Sequence, residues 1–427
     1  MPQTITHFSD AELERLDRAS DIFVDIGQSI GILSSINWEP EVAEVFFAKG
    51  AKELPIPKYE EVETASVWTK IKQAESLIKG SSPVHEWMKR TCKSFSEAAR
   101  LIETRGTKAF TTHSKNIYGI PSSLFRDGQS SARGIAEKMD DTFDRFCLKT
   151  LAGDQAEKKL SANDVRDFME PRVREHFGED APSIEVTDDI SAKAVASSSR
   201  IRLRANAPFS DLDGPQLLLH EAHVHIATSL NGKAHPHFKC LGTSHAFTAK
   251  TQEGLAVFSE MIGGAIDPFR MRRLTNRVLA VQMALDGADF IEVYRDFYLE
   301  RSKSPREAFE STRRIFRGGL LTGGAPFTKD AIYLEGLIRV HNYLRVSIPT
   351  GNLHYPNYLF YGKIDLDDVD ALKMLDEQKL LTFPKYRPPW AEDMRFLATV
   401  ISYLSLIDKM DFDAIHEAYS PILTTQD

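Results

Sequence analysis

Six of the 13 histidines in this chain of 427 residues fall between positions 220 and 245, where an even spread would place about one. Three of the six, His220, His223 and His225, lie on one apolar run, QLLLHEAHVHIATSL, at 216–230. Ser210-Asp-Leu-Asp213 is a capping-box-like start for that run, Pro215 sits in its first turn and Asn231-Gly232 predicts its stop, so the run reads as a helix. Glu221 stands beside the first histidine. Zinc hydrolases use such a helix: two histidines ligate the ion, while the adjacent glutamate falls short of the metal and holds a water.

Ligand pairs usually stand four apart, about 40° round the helix. His220 and His225 stand five apart, about 500° of turn, so an undistorted helix aims the second ring roughly 140° away from the first. A local widening to i→i+5 bonding returns both rings to one side, and such bulges concentrate at functional sites. Pairing His220 with His225 therefore predicts a bulged helix. Pairing His220 with His223, three apart and about 60° round, needs no distortion, and spacing alone leaves both pairs open. A catalytic zinc takes three protein ligands and keeps one position open, and a carboxylate from a separate helix can be the third. The run beginning near Thr251 offers Glu253 and Glu260; Glu253 is preferred because Gly254 after it lets backbones approach closely. His235, His237 and His245 fall in the connection between these helices and are expected to be loop or supporting residues.

With 42% hydrophobic and 27% charged residues the chain can bury a sizeable core. A net charge of -8 argues against neutralising a phosphate backbone, so no nucleic-acid partner is expected. No uncharged apolar stretch reaches about 18 residues and the opening MPQTITHFSDAELERLD lacks a basic-then-apolar leader, so a cytoplasmic protein with no membrane partner is expected. Cys92, Cys147 and Cys240 are too few and scattered for a disulfide framework, and each is expected to be a small buried hydrophobe. No signature sets an oligomeric state.

Helical runs dominate up to about residue 178: a Ser9/Glu12 capping box ahead of LERLDRASDIFVDIGQSIGIL, then about 62–79, 84–104, 133–152 and 161–177. Near 180 the texture changes. Ser183–Thr187 alternates, and Ala194–Ser197 and Ile201–Arg204 read as two short strands round a serine-rich turn. In the last, Ile201 and Leu203 face one side while Arg200, Arg202 and Arg204 face the other. Beyond the histidine helix and the run ending at Gly263-Gly264, helices are expected at about 269–285, 288–302, 305–317, 328–346 and 391–408. The basic run Arg270, Arg272, Arg273 and Arg277 reads as a solvated helix face, with attraction for an acidic peptide as the alternative. The expected fold is α+β and predominantly helical: a helical lobe over 1–178, and a zinc-metallopeptidase-like region over 179–427 with a small sheet beside the histidine helix, forming one compact unit or two.

The sequence Gln252-Glu253-Gly254-Leu255-Ala256, preceded by His220-Glu221 and His225, resembles the QEGLA-motif family. Bacterial members of that family are known as flavohemoglobin expression-modulating proteins, and its eukaryotic relatives are the microtubule-associated tyrosine carboxypeptidases. Arg105-Gly106-Thr107, Tyr118-Gly119 with Pro121, TGGAPFTKD at 322–330, and Tyr333-Leu334 with Gly336 also look like family features, extending the resemblance over most of 100–345. His223 departs from the family pattern, which has a small or apolar residue inside the first motif. The resemblance implies one Zn2+ held by His220, His225 and Glu253, with Glu221 as base, and a carboxypeptidase whose substrate is a peptide or protein C-terminus. The eukaryotic relatives remove a C-terminal tyrosine from tubulin, but a net charge of -8 offers no evident attraction for an acidic tail, so tubulin is not carried over.

A carboxypeptidase needs a cation for the terminal carboxylate, and Arg200 and Arg202, with Arg204, precede the histidine helix and are candidates. Lys329, Tyr333 and His341 are candidates to meet the oxyanion of the tetrahedral intermediate. The competing class is a noncatalytic regulatory or binding protein with a structural or vestigial metal site. Glu221, which a purely structural site does not require, favours the peptidase.

Overall fold

The computed structural model describes residues 7–145, 159–190, 192–197, 199–302, 304–352, 354–407 and 410–423. Cys147 and the end of the 133–152 run lie outside the described residues. Several helices begin where the sequence supplies caps. Ser9 Oγ accepts from the Glu12 amide at the head of Asp10–Ser29, and Ser82, with Pro83 in the first turn, does the same for Pro83–Glu103. Ser161 and Asp164 close a full capping box ahead of Ala162–Phe177. Apolar residues of the chain gather in four buried clusters, each of which draws residues from both sides of position 178. No helix among the described residues is long and apolar enough to cross a membrane.

The fold is predominantly helical with one small sheet, as expected. Strands β1 (Ser183–Thr187), β2 (Ala194–Ala196) and β3 (Arg200–Arg204) lie in the order β1-β3-β2. The central β3 runs parallel to β1, with Ser183 opposite Arg200, and antiparallel to β2, with Ala194 opposite Leu203. Ile201 and Leu203 are fully buried in one cluster with Leu217, Leu218, Ala222 and Ile226, so the sheet backs the histidine helix. Strand alternation then sends Arg200, Arg202 and Arg204 out from the opposite face.

The histidine helix is continuous through α-helical Asp213–Leu217, π-helical Leu218–Ile226 and α-helical Ala227–Lys233. The carboxylate of Asp213 accepts from the Ser210 amide at its start. It does not stop at Asn231-Gly232. Asn231 donates to the Phe360 and Tyr386 carbonyls and accepts from the Tyr386 amide, and a Cβ on Gly232 would lie 2.3 Å from the Leu241 carbonyl carbon. Residues that read locally as a turn are here spent on long-range packing. The next helix, Ala249–Ile262, ends at Gly263 as expected; Pro268–Leu285, Pro305–Phe316 and Ile332–Ser347 follow. A second π-helical segment, Val293–Tyr298, was not foreseen in the sequence pattern.

Candidate metal centre

The π-helical bonding of Leu218–Ile226 is the distortion that pairing His220 with His225 requires, and it sets the two rings 4.9 Å apart between centroids at 85°. His220 Nε2 lies 3.5 Å and His225 Nε2 3.9 Å from the same oxygen, Glu253 Oε2. One donor atom from each of the three residues falls within 4.8 Å of the others, the only such group among the described residues. Two ligands each about 2.1 Å from a tetrahedral zinc stand about 3.4 Å apart, so this donor set of two imidazoles and a carboxylate fits the ion.

Glu253 reaches the histidines because Ala249–Ile262 and Ile332–Ser347 pack backbone to backbone. A Cβ on Gly254 would lie 2.1 Å from the Gly336 carbonyl carbon, and one on Gly336 would lie 2.2 Å from the Lys250 carbonyl oxygen. Lys329 Nζ donates to Glu253 Oε1 at 3.0 Å and stands 3.5 Å from Tyr333 Oη, so both of these sequence candidates border the cluster.

Glu260, fully buried about two turns further along the same helix face, completes the arrangement. His220 Nδ1 contacts Glu260 Oε1 at 2.6 Å, and Arg270 holds the same carboxylate through Nε and a terminal nitrogen, each at 3.1 Å. A neutral His220 that donates from Nδ1 presents its Nε2 lone pair toward Glu253, the orientation a metal ligand needs. Burial opposes charge on His220, but the hydrogen bonds with Glu253 and Glu260 outweigh it and carry its pKa up to about 10. Burial, then His220 and Lys363, push His225 down to about 3. Burial favours a neutral Glu253, yet Lys329 and His220 prevail and hold it well below the usual carboxylate range. A divalent ion would displace the proton from His220. Glu221 is half-buried and makes no hydrogen bond or ion pair among the described residues. Burial raises its pKa, with the charge on His220 opposing.

His223 leaves the helix in another direction. Its ring lies 4.4 Å from that of His176, and neither of its nitrogens has a hydrogen-bond partner among the described residues. Burial, with His176 alongside, lowers its pKa from 6.5 to about 3. The unfolded chain therefore takes up this proton first, so the contribution of neutral His223 to stability is present above pH 6.5 and is lost as pH falls towards about 3. His223→Phe is expected to keep the metal content of the parent and to flatten the fall in melting temperature across that window. A metal-free variant would instead put His223 at the ion. The connecting histidines are tied down elsewhere: His235 to the Tyr361 carbonyl at 2.6 Å, His237 to Asp17 at 3.0 Å and His245 to Ser94 Oγ at 2.9 Å. Cys92 and Cys240 are buried, and burial pushes both thiols up to about 12.

Arg200 and Arg202 are not brought to the cluster. Both leave from the sheet face turned away from the histidine helix, and Arg200 lies 3.5 Å from Glu185 of the neighbouring strand. The basic run is not a solvated face either. Arg270 is buried on Glu260, and Arg277 packs over the Tyr333 ring at 4.9 Å and lies 3.8 Å from the Asp330 carboxylate; of the four, Arg273 is exposed. Sequence reasoning weighed Glu260 only as a rival to Glu253, read Arg270 as part of a solvated face and assigned no part to Lys363. The spacing of seven between Glu253 and Glu260, which puts both on one helix face, was the available signal for the first. Lys363, which donates to the His225 carbonyl at 2.9 Å, comes from a distant irregular segment with no local signature.

The model of the microtubule-associated tyrosine carboxypeptidase family matches residues 44–409. The chain belongs to that family. All three donor residues of the cluster, with Glu221, Glu260, Lys329 and Tyr333, fall inside the span matched by the microtubule-associated tyrosine carboxypeptidase model. No curated protein matches the chain.

Proposed function

We propose that the chain is a zinc-dependent carboxypeptidase that hydrolyses the C-terminal peptide bond of a peptide or protein. The observation that carries this reading is the convergence of His220 Nε2, His225 Nε2 and Glu253 Oε2 beside a glutamate, Glu221, that makes no hydrogen bond or ion pair among the described residues. His220, His225 and Glu253 would hold the ion. When bound, zinc supplies Lewis acidity, polarising a carbonyl and making water acidic enough to ionise near pH 7.

The remaining work falls to the chain. Glu221 accepts a proton from the attacking water and delivers it to the leaving amine, the role its partnerless carboxylate suits. Glu260, braced by Arg270, fixes the ring of His220. Lys329 is committed to Glu253, which leaves the neighbouring Tyr333 hydroxyl as the donor for the developing oxyanion. The description of the family makes a C-terminal tyrosine the first residue to test, and its association with microtubules accords with a cytoplasmic setting.

The test is metal analysis of the purified protein together with a library of peptides bearing free C-termini, read by mass spectrometry. Zinc is expected near one ion per chain, with loss of single C-terminal residues, abolition by a chelator and recovery on adding one equivalent of zinc. Undiminished hydrolysis by metal-stripped protein, or an intact library after incubation with zinc-loaded protein, would overturn the reading.

A further inference from the structure

A narrow cleft opens between Pro268–Leu285, the π-helical Val293–Tyr298 and Pro305–Phe316. None of the metal-cluster residues lines it. Its wall carries four arginines, Arg273, Arg277, Arg301 and Arg314, against the acids Asp330 and Glu307. The fully buried Asp330 accepts two bonds from Arg314, at 2.7 and 2.9 Å, and is also the carboxylate 3.8 Å from Arg277. One acid thus serves two guanidinium groups. Arg301 reaches Asp140 at 3.4 Å, and Arg273 stands at the rim, exposed and without a hydrogen bond or ion pair among the described residues. Burial, with Arg314 alongside, lowers Arg277 to about 10, the direction expected of a buried cation short of counter-charge.

A second observation is independent of charge. Tyr298 and Asn276 line the same cleft at 5% and 6% exposure, and Tyr298 Oη and Asn276 Oδ1 have no hydrogen-bond partner among the described residues. Buried polar atoms are nearly always paired, so these two side chains leave unmet hydrogen-bonding capacity in the wall of the cleft. The phenol is a donor, and the amide of Asn276 can turn its NH2 inward. Tyr298 also ends a π-helical segment, a distortion concentrated at functional sites.

We propose that this cleft is an oxyanion site, built from Arg277 and Arg273 with Tyr298 Oη as donor, and that its occupant is the terminal carboxylate of the peptide substrate. Planar guanidinium groups match a carboxylate in shape and charge. The connection to the metal cluster is one aromatic ring: Arg277 lies 4.9 Å from the centroid of Tyr333, Lys329 lies 5.0 Å from the same centroid, and Lys329 holds Glu253. The oxyanion site stands on the cleft alone, whereas the identity of the occupant rests on the carboxypeptidase reading. A free phosphate shares the chemistry, so the test separates the two sources.

Calorimetric titrations on the full-length, zinc-loaded Glu221→Gln protein, which binds peptide without consuming it, use three probes: inorganic phosphate, a peptide with a free C-terminus and the same peptide C-terminally amidated. Phosphate and the free-acid peptide are expected to compete, with the amide bound about tenfold or more weakly than the acid. Arg277→Gln should weaken both anionic probes about tenfold and Tyr298→Phe about three- to tenfold, with amide binding unchanged. Tyr298→Phe removes one partnerless oxygen and so keeps the test sound if Arg277→Gln fails to fold. Unchanged binding of both anions in Tyr298→Phe and in any folded Arg277→Gln would overturn the site. Phosphate binding that the acid peptide does not displace would overturn the terminal carboxylate as occupant. Failure of the carboxypeptidase reading would appear separately, as an intact peptide library with phosphate binding preserved.

Discussion

Glu221→Gln is expected to lower the turnover of a susceptible peptide by about a hundredfold to ten-thousandfold while zinc stays near one ion per chain. Glutamine keeps the shape of the side chain and loses its capacity to accept a proton. The substitution breaks no hydrogen bond or ion pair among the described residues, so stability should be close to that of the parent. The pairing of measurements is informative because His220, His225 and Glu253 hold the donor atoms within 4.8 Å without help from Glu221. Steady-state kinetics beside metal analysis reads both quantities. Equal kcat in the two proteins would discard Glu221 as the base, and loss of zinc would move it into the ligand set.

Gly254→Ala is expected to be severely damaging although it adds a single methyl group. The new carbon would meet the Gly336 carbonyl carbon at 2.1 Å, and that atom is backbone inside another packed helix. No rotamer change relieves such a clash, so the helices must separate, at a cost of about 3 kcal/mol or more. Because Glu253 is the preceding residue, zinc content should fall along with the melting temperature. Gly134→Ala serves as the control: its Cβ would meet only Ser131 Oγ at 3.6 Å, ordinary contact on a helix, and alanine there should be neutral or stabilising by up to about 1 kcal/mol. Thermal melts with metal analysis check both. A Gly254→Ala protein that melts with the parent and retains zinc would refute the account of backbone packing.

Much of the scaffold was legible because its causes are local. Capping residues set the starts of Asp10–Ser29, Pro83–Glu103 and Ala162–Phe177, and alternation set the three strands to within a residue or two. The five-residue spacing of His220 and His225 was legible in a different way. It made a falsifiable demand, a bulged helix, and Leu218–Ile226 meets it. The same local reasoning failed at Asn231-Gly232, where an apparent turn is held in helix by contacts with residues around 241, 360 and 386. It failed again for the arginines. Counting basic residues sent Arg270 and Arg277 to the surface, but their acids, Glu260 and Asp330, are contributed by other helices and loops and draw them inside.

The sequence by itself determined the helical class, the small sheet and a short list of donors in which His220 had two possible partners. Only the tertiary structure decided that His225 turns toward Glu253 while His223 turns to His176, and that the β3 arginines face away from the histidine helix. The division has one physical reason. Propensity, capping and periodicity act between neighbours in the chain, whereas the direction of a side chain at the centre is set by packing between segments tens to hundreds of residues apart, which leaves no mark on the residues beside it.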